Sequence, residues 1–206
     1  MTTRSTLQTA GLHAVRIVAL ALPSSATLAH PGHESVMGGS MFAAGMLHPL
    51  TGTDHLLAML AVGLWAALAH KSLREAIWTP ISFLCLLLVG ALAGIAGMSL
   101  PAVEPIIMAS LLVLGLLTAS RIALPGWAGG ALVGFFALFH GLAHGAELPA
   151  GNGVAAYIAG FMLATLMLHA AGLTAGLALK GRAAWLARAA GAGIAAYGAA
   201  LYTIAS

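Results

Sequence analysis

Two short clusters concentrate side chains that could do chemistry in this chain. The first reads His48-Pro49-Leu50-Thr51-Gly52-Thr53-Asp54-His55, and the second Phe139-His140-Gly141-Leu142-Ala143-His144-Gly145-Ala146-Glu147. They carry four of the nine histidines and two of the five acids of a chain that is only 6% charged. On a helix His140 and His144 stack on one face, and Glu147 continues that face about one turn further on. Gly141 and Gly145 thin the helix alongside, so that a second backbone or an ion can approach. Two imidazoles with a carboxylate one turn away suit nickel, cobalt, copper or zinc. The competing reading is a pair of histidines hydrogen-bonded across helices. A glutamate on the same face favours ligation, because a carboxylate in an apolar setting is costly unless paired or functional.

The first cluster is less complete by itself. Pro49 suits the first position of a helix, with His48 before it as the cap. On a straight helix His48 and His55 would share a face but stand ~10 Å apart, too far to hold one ion. A break at Gly52 would bring them together. Asp54 either ligates directly or orients an imidazole by accepting its second N–H; alternatively, Asp54 and Thr51 cap a half-helix. No thiolate joins these ligands, which argues against copper(I). Magnesium and calcium prefer oxygen ligands, so the histidines argue against them too.

The elements that position these clusters must lie in a bilayer. The chain is 61% hydrophobic with a mean hydropathy of +1.00, whereas a soluble domain carries roughly 25% charged residues. Its 26 glycines suit close helix approach in lipid. A formal charge of +3, without a basic run interleaved with aromatics, gives no sign of nucleic acid. No G-x-x-x-x-G-K-[ST] loop is present, so no nucleotide is expected as a partner. The single cysteine, Cys85, excludes a disulfide framework within one chain.

Residues 1–29 read as a cleavable signal peptide: Arg4 and Arg16, a short apolar core at Ile17–Leu22, and a small-residue site ending at Ala29. The alternative is a retained amphipathic helix. Cleavage would expose His30 and His33, where a terminal amine and its own imidazole could chelate a metal; the bland alternative is a solvated terminus. The remainder, 30–206, is expected as a single all-α integral membrane domain of six transmembrane helices, at about 49–69, 76–97, 104–120, 127–145, 154–179 and 184–203. Trp78, Trp127 and Trp185 fall at span ends, where amphipathic rings favour the interface. With the mature N-terminus outside, the inner loops carry Lys71 and Arg74, then Arg121, then Lys180, Arg182 and Arg188, and the outer loops carry no basic residue. This satisfies the positive-inside rule and places both mature termini on the periplasmic side of a bacterial cytoplasmic membrane. Six spans divide three and three, the second half inverted, with one histidine cluster in the first span of each half. That is the layout of an inverted-repeat transporter.

His169, in the fifth span, is either a further station on an ion path or a solitary histidine bonded across helices. Glu104 and His70 read as interfacial residues. Met59, Met98, Met108, Met162 and Met167 read as packing or lipid-facing.

His48-x5-Asp54-His55, followed by Phe139-His140-Gly141-x-Ala143-His144-Gly145-x-Glu147, resembles the HupE/UreJ family of bacterial nickel and cobalt permeases. The resemblance covers the whole chain, and the paired motifs are far more specific than either alone. It implies import of nickel or cobalt by a non-enzymatic secondary permease, with roles for His48, Asp54, His55, His140, His144 and Glu147. The ion is then cargo, and no catalytic cofactor is expected. Zinc shares these ligands, and ligand chemistry does not separate the three metals. Neutral imidazoles are needed for binding, so uptake should fall below about pH 6. Two rivals use the same ligands: an intramembrane metal-dependent hydrolase with an activated water, and a metal-binding accessory or sensor protein without transport. Energy coupling and oligomeric state, homo-oligomer or monomer, stay open.

Overall fold

Ser40 starts the first helix. Its hydroxyl accepts from the Ala43 N–H at 3.2 Å, a side-chain cap on donors that have no partner inside the helix. The computed structural model describes residues 40–148, 151–181 and 183–205. The signal peptide expected over 1–29, and His30 and His33, lie outside the described residues. Among the described residues the chain is helical: α1 Met41–Thr51, α2 Thr53–Ala69, α3 Leu73–Ala76, α4 Trp78–Ile95, α5 Val103–Ser120, α6 Gly126–Glu147, α7 Val154–Leu179 and α8 Ala184–Ala205.

The break expected near Pro49 and Gly52 is present. α1 and α2 meet at 82°, with Gly52 extended at φ −90°, ψ 115°. One detail differs from expectation: Pro49 lies inside α1 rather than opening the spanning helix, so His48 is a helical residue and not a cap. With the helix already nucleated at Ser40, proline in its last turns removes only the bond to the Gly45 carbonyl. That weakens the end of α1 without stopping it, and the stop falls at Gly52. The Thr51 hydroxyl donates to the His48 carbonyl at 2.8 Å and closes this last turn.

α2 is the axis of the bundle. From Ala58 to Leu68 every residue except Leu60 is buried. A helix apolar on all sides belongs at the centre of such an assembly. α1 and α2 pack on α7, α4 on α6, and α5 on α8. Exchanging the two halves of the expected six-span order maps the first of these pairs onto the second. Both pairs close at backbone distance. A Cβ at Gly63 would stand 2.1 Å from the His169 carbonyl oxygen, and one at Gly141 would stand 2.2 Å from that of Leu87. The outside of the bundle is apolar, with Trp78, Trp127 and Trp185 all exposed at the starts of their helices.

Four helices are long and apolar enough to cross a membrane, and five spans result if the bent α1–α2 pair counts as one. α8 forms at the sixth expected place but is not among them. It has 22 residues, and Arg188 together with its glycines and tyrosines dilutes its hydropathy.

Candidate metal centre

The 82° break decides the geometry of the site. It directs His48 from α1 and His55 from α2 toward the same ring, that of His144 on α6. His48 Nε2 is 3.0 Å from His144 Nδ1. The His55 and His144 ring centroids are 4.5 Å apart, and those of His55 and His140 are 5.1 Å apart. The two clusters, far apart in sequence, thus form one group of four imidazoles. Phe161 and Tyr157 of α7 wall it, with Phe161 4.8 Å from His144 and Tyr157 5.8 Å from His48, centroid to centroid.

Hydrogen bonds to Asp54 and Ser110 assign which nitrogen of His55 and of His140 is free. Asp54 Oδ1 accepts from His55 Nδ1 at 3.0 Å, the contact expected of a carboxylate that orients an imidazole. The Ser110 hydroxyl on α5 donates to the Ile107 carbonyl at 2.6 Å, so it must accept from His140 Nε2, 3.1 Å away. His140 therefore carries its lone pair on Nδ1. The bond between His48 Nε2 and His144 Nδ1 is compatible with either ring as donor, so it orients both rings without assigning their tautomers. His55 Nε2, His140 Nδ1 and His144 Nε2 are buried and find no hydrogen-bond partner among the described residues. A buried polar nitrogen without a partner costs about 1–3 kcal/mol. Three such nitrogens, each on a ring fixed through its other nitrogen, are what ligating histidines and their supporting partners look like. Ser110 drew no attention in the sequence, and its only signal there was a hydroxyl inside an apolar run.

Glu147 joins this group at its open end. His48, His144 and Glu147 each offer a ligand atom, and the three atoms lie within 4.8 Å of one another. This trio and the deeper set share His144. The trio is the shallower of the two, since His140 is fully buried and Glu147 is exposed. Glu147 also lines a cavity of about 220 Å³ together with Glu104, and none of the four histidines lines it. His169 is apart from the group. The Phe83 ring stands 6.1 Å from His140 and 4.9 Å from His169, between the two.

At the other end of α2, His70 is the C-cap residue and is buried within the protein. Its Nε2 lies 3.4 Å from the Thr79 hydroxyl, and Lys180 Nζ donates to the Ala67 and His70 carbonyls. An ammonium there meets the negative end of the helix dipole. A cavity of about 660 Å³ opens at this end between His70, Trp78 and Trp127, and none of the motif residues lines it.

Asp54→Asn removes the charge that fixes the His55 ring but keeps the shape. Metal affinity is expected to drop about 10–100-fold, as for other partners behind a ligand, while the melting temperature of the purified protein stays near that of the wild type. Cobalt titration followed by visible absorption checks the first and thermal unfolding the second.

The sequence profile described as "HupE / UreJ protein" matches residues 18–201. Protein HupE of Rhizobium leguminosarum bv. viciae is 41% identical over 187 residues, which cover 90% of this chain and 94% of that protein. No solved structure matches the chain.

Proposed function

The chain belongs to the HupE/UreJ family, and from that premise we propose that it is a secondary permease importing a divalent transition-metal ion, nickel or cobalt, across the bacterial cytoplasmic membrane. The observation that carries this reading is the group of imidazoles from α1, α2 and α6, three of whose nitrogens are buried and have no partner among the described residues. The ligand chemistry is nitrogen with carboxylate, which suits nickel, cobalt and zinc. Glu147, His48 and His144 receive the ion at the outer rim, and His55 and His140 take it deeper as it sheds water. Asp54 and Ser110 hold the deeper rings in their binding tautomers. In this reading α8 completes a six-span topology with both termini outside. The matched pairs α1–α2 with α7 and α4 with α6 support an inverted repeat, with the site between its halves. The Thr-bearing, glycine-faced seam of α2 and α7 leads inward.

The test is uptake of radiolabelled nickel by cells that lack their own nickel importer. Expression of the chain is expected to give saturable uptake that excess unlabelled cobalt suppresses. Uptake no higher than in cells carrying the empty vector would overturn the reading. The same assay has a defined pH dependence. Imidazole must be neutral to ligate, so protons compete with the ion on the acid side. Uptake is expected to fall toward acid pH and to level off once every ligating ring is neutral. Rates measured from pH 5 to 8 at constant free nickel check this, and a rate that rises toward acid would contradict histidine ligation.

A further inference from the structure

His169 is the 16th residue of the 26-residue α7 and is 1% exposed. Neither of its ring nitrogens has a hydrogen-bond partner among the described residues. A neutral imidazole always has one N–H to satisfy. Burying it with neither nitrogen bonded costs about 1–3 kcal/mol, and an apolar side chain of similar size would avoid that cost. The surroundings do not call for a polar group either: the nearest ring is Phe83, edge-on at 4.9 Å. Packing therefore gives no reason for a histidine here.

Its position in the bundle supplies one. α2 and α7 run side by side in the same direction, Leu60 meeting Gly172 and Ala67 meeting Gly176. Phe161, which touches His144, is eight residues before His169, so His169 lies roughly 12 Å further along the helix axis. It lies roughly 16 Å short of Lys180, which caps the inner end of α2. It is thus the next polar ring beyond His140, on the far side of Phe83. One turn before it, Thr165 is fully buried, and its hydroxyl donates to the Phe161 carbonyl at 2.9 Å. That leaves the Thr165 oxygen lone pairs for a second contact.

We propose that His169 is a separate, inner binding station for the divalent ion, one imidazole deep in the membrane that receives the ion from the outer group past the Phe83 ring. The proposal rests on the permease reading above. A single imidazole and a hydroxyl oxygen make a weak site with most positions left to water, which suits a station the ion must leave. The outer group sets affinity, and His169 sets the rate of passage.

His169→Leu separates these roles. It removes both nitrogens, keeps an apolar side chain in the space, and is expected to leave the melting temperature unchanged or raised. Equilibrium binding of nickel by the purified variant is expected to match the wild type, while nickel uptake per folded molecule falls at least about tenfold, the range over which a positioned metal partner acts. Uptake within about twofold of the wild type would overturn the station, and so would loss of nickel binding together with uptake, which would make His169 part of the outer centre. A second measurement does not depend on transport. In a Cys85→Ala, His169→Cys protein, cadmium is expected to slow modification of the thiol at position 169 by a small water-soluble thiosulfonate. A thiol that cadmium leaves unprotected would overturn the station even in a transporting protein. A wild-type chain that moves no nickel would instead fail the permease reading, and the cadmium protection would still decide the station.

Discussion

Replacing His144 by alanine is expected to lower nickel uptake by at least about 100-fold, above the range for residues that only support a ligand. His144 is the residue on which the site converges. Its Nδ1 meets His48 at 3.0 Å, its ring lies 4.5 Å from that of His55, and it shares a three-ligand group with Glu147. Removing it deprives both the shallow and the deep ligand sets of a member, and it leaves His48 without the hydrogen bond that orients it. The cavity left by an imidazole among Phe161 and the neighbouring histidines is small, so the helix should persist. Uptake per folded molecule and nickel binding to purified protein are the measurements. The loss should appear in both, and His144→Ala uptake close to that of the wild type would remove the α6 face from the path.

Gly145→Val is expected to abolish the folded bundle. A Cβ at Gly145 would stand 2.1 Å from the Ala91 carbonyl oxygen of α4, and the next contact is backbone as well. A backbone cannot swing aside as the tip of a side chain can, so α4 and α6 must separate over several turns. In lipid, such pairs are held by close packing and not by a hydrophobic drive. The loss belongs with the large class of single-substitution effects, about 4 kcal/mol or more. His140 and His144 lie on the same helix and would be displaced with it, so binding and fold should fail together. Gly193→Ala serves as the control: in α8 a Cβ at that position meets nothing within 4 Å. Detergent-solubilised Gly193→Ala should elute and melt like the wild type, whereas Gly145→Val should aggregate or fail to accumulate. A normally melting Gly145→Val protein would contradict the close α4–α6 approach.

The residues of the candidate site were legible in the sequence because charge and histidine are so scarce in it that two clusters stand out without any alignment. The helices were legible for the same reason, since long apolar runs between polar turns leave little choice of boundary. The fifth span, expected at 154–179, forms Val154–Leu179. The bend at Gly52 was legible from Pro49 and Gly52 together, but its place was not. Whether a proline starts a helix or sits inside one depends on where that helix was nucleated, and Ser40 nucleates it earlier. The role of Asp54 was not legible, because a carboxylate next to a histidine can ligate or orient, and only the 3.0 Å bond to His55 Nδ1 favours the second. Ser110 and Phe83 were invisible for a further reason. Each acts on a histidine of another helix, and which face of one helix meets which face of the next is set by packing across the whole bundle. The partners of His70 were not legible either: Thr79 and the Lys180 ammonium reach it from other helices.

The fold also explains why a site of this kind sits at a helix break. Side chains on a straight helix diverge along its length, whereas the corner between α1 and α2 turns a histidine from each toward a third on α6. The extended residue at the corner, Gly52, has little room for a side chain: a Cβ there would be 3.0 Å from Asp54 Oδ1 and 3.2 Å from His55 Nδ1.

The most direct test of the central claim is nickel flux into sealed proteoliposomes that contain only the purified chain, followed with an entrapped nickel-quenched dye. Saturable quenching that needs the protein, that cobalt competes for and that His144→Ala abolishes is the expected result. Quenching no faster than in protein-free liposomes, from protein shown to be folded and to bind nickel, would contradict transport and leave a metal-binding membrane protein in its place.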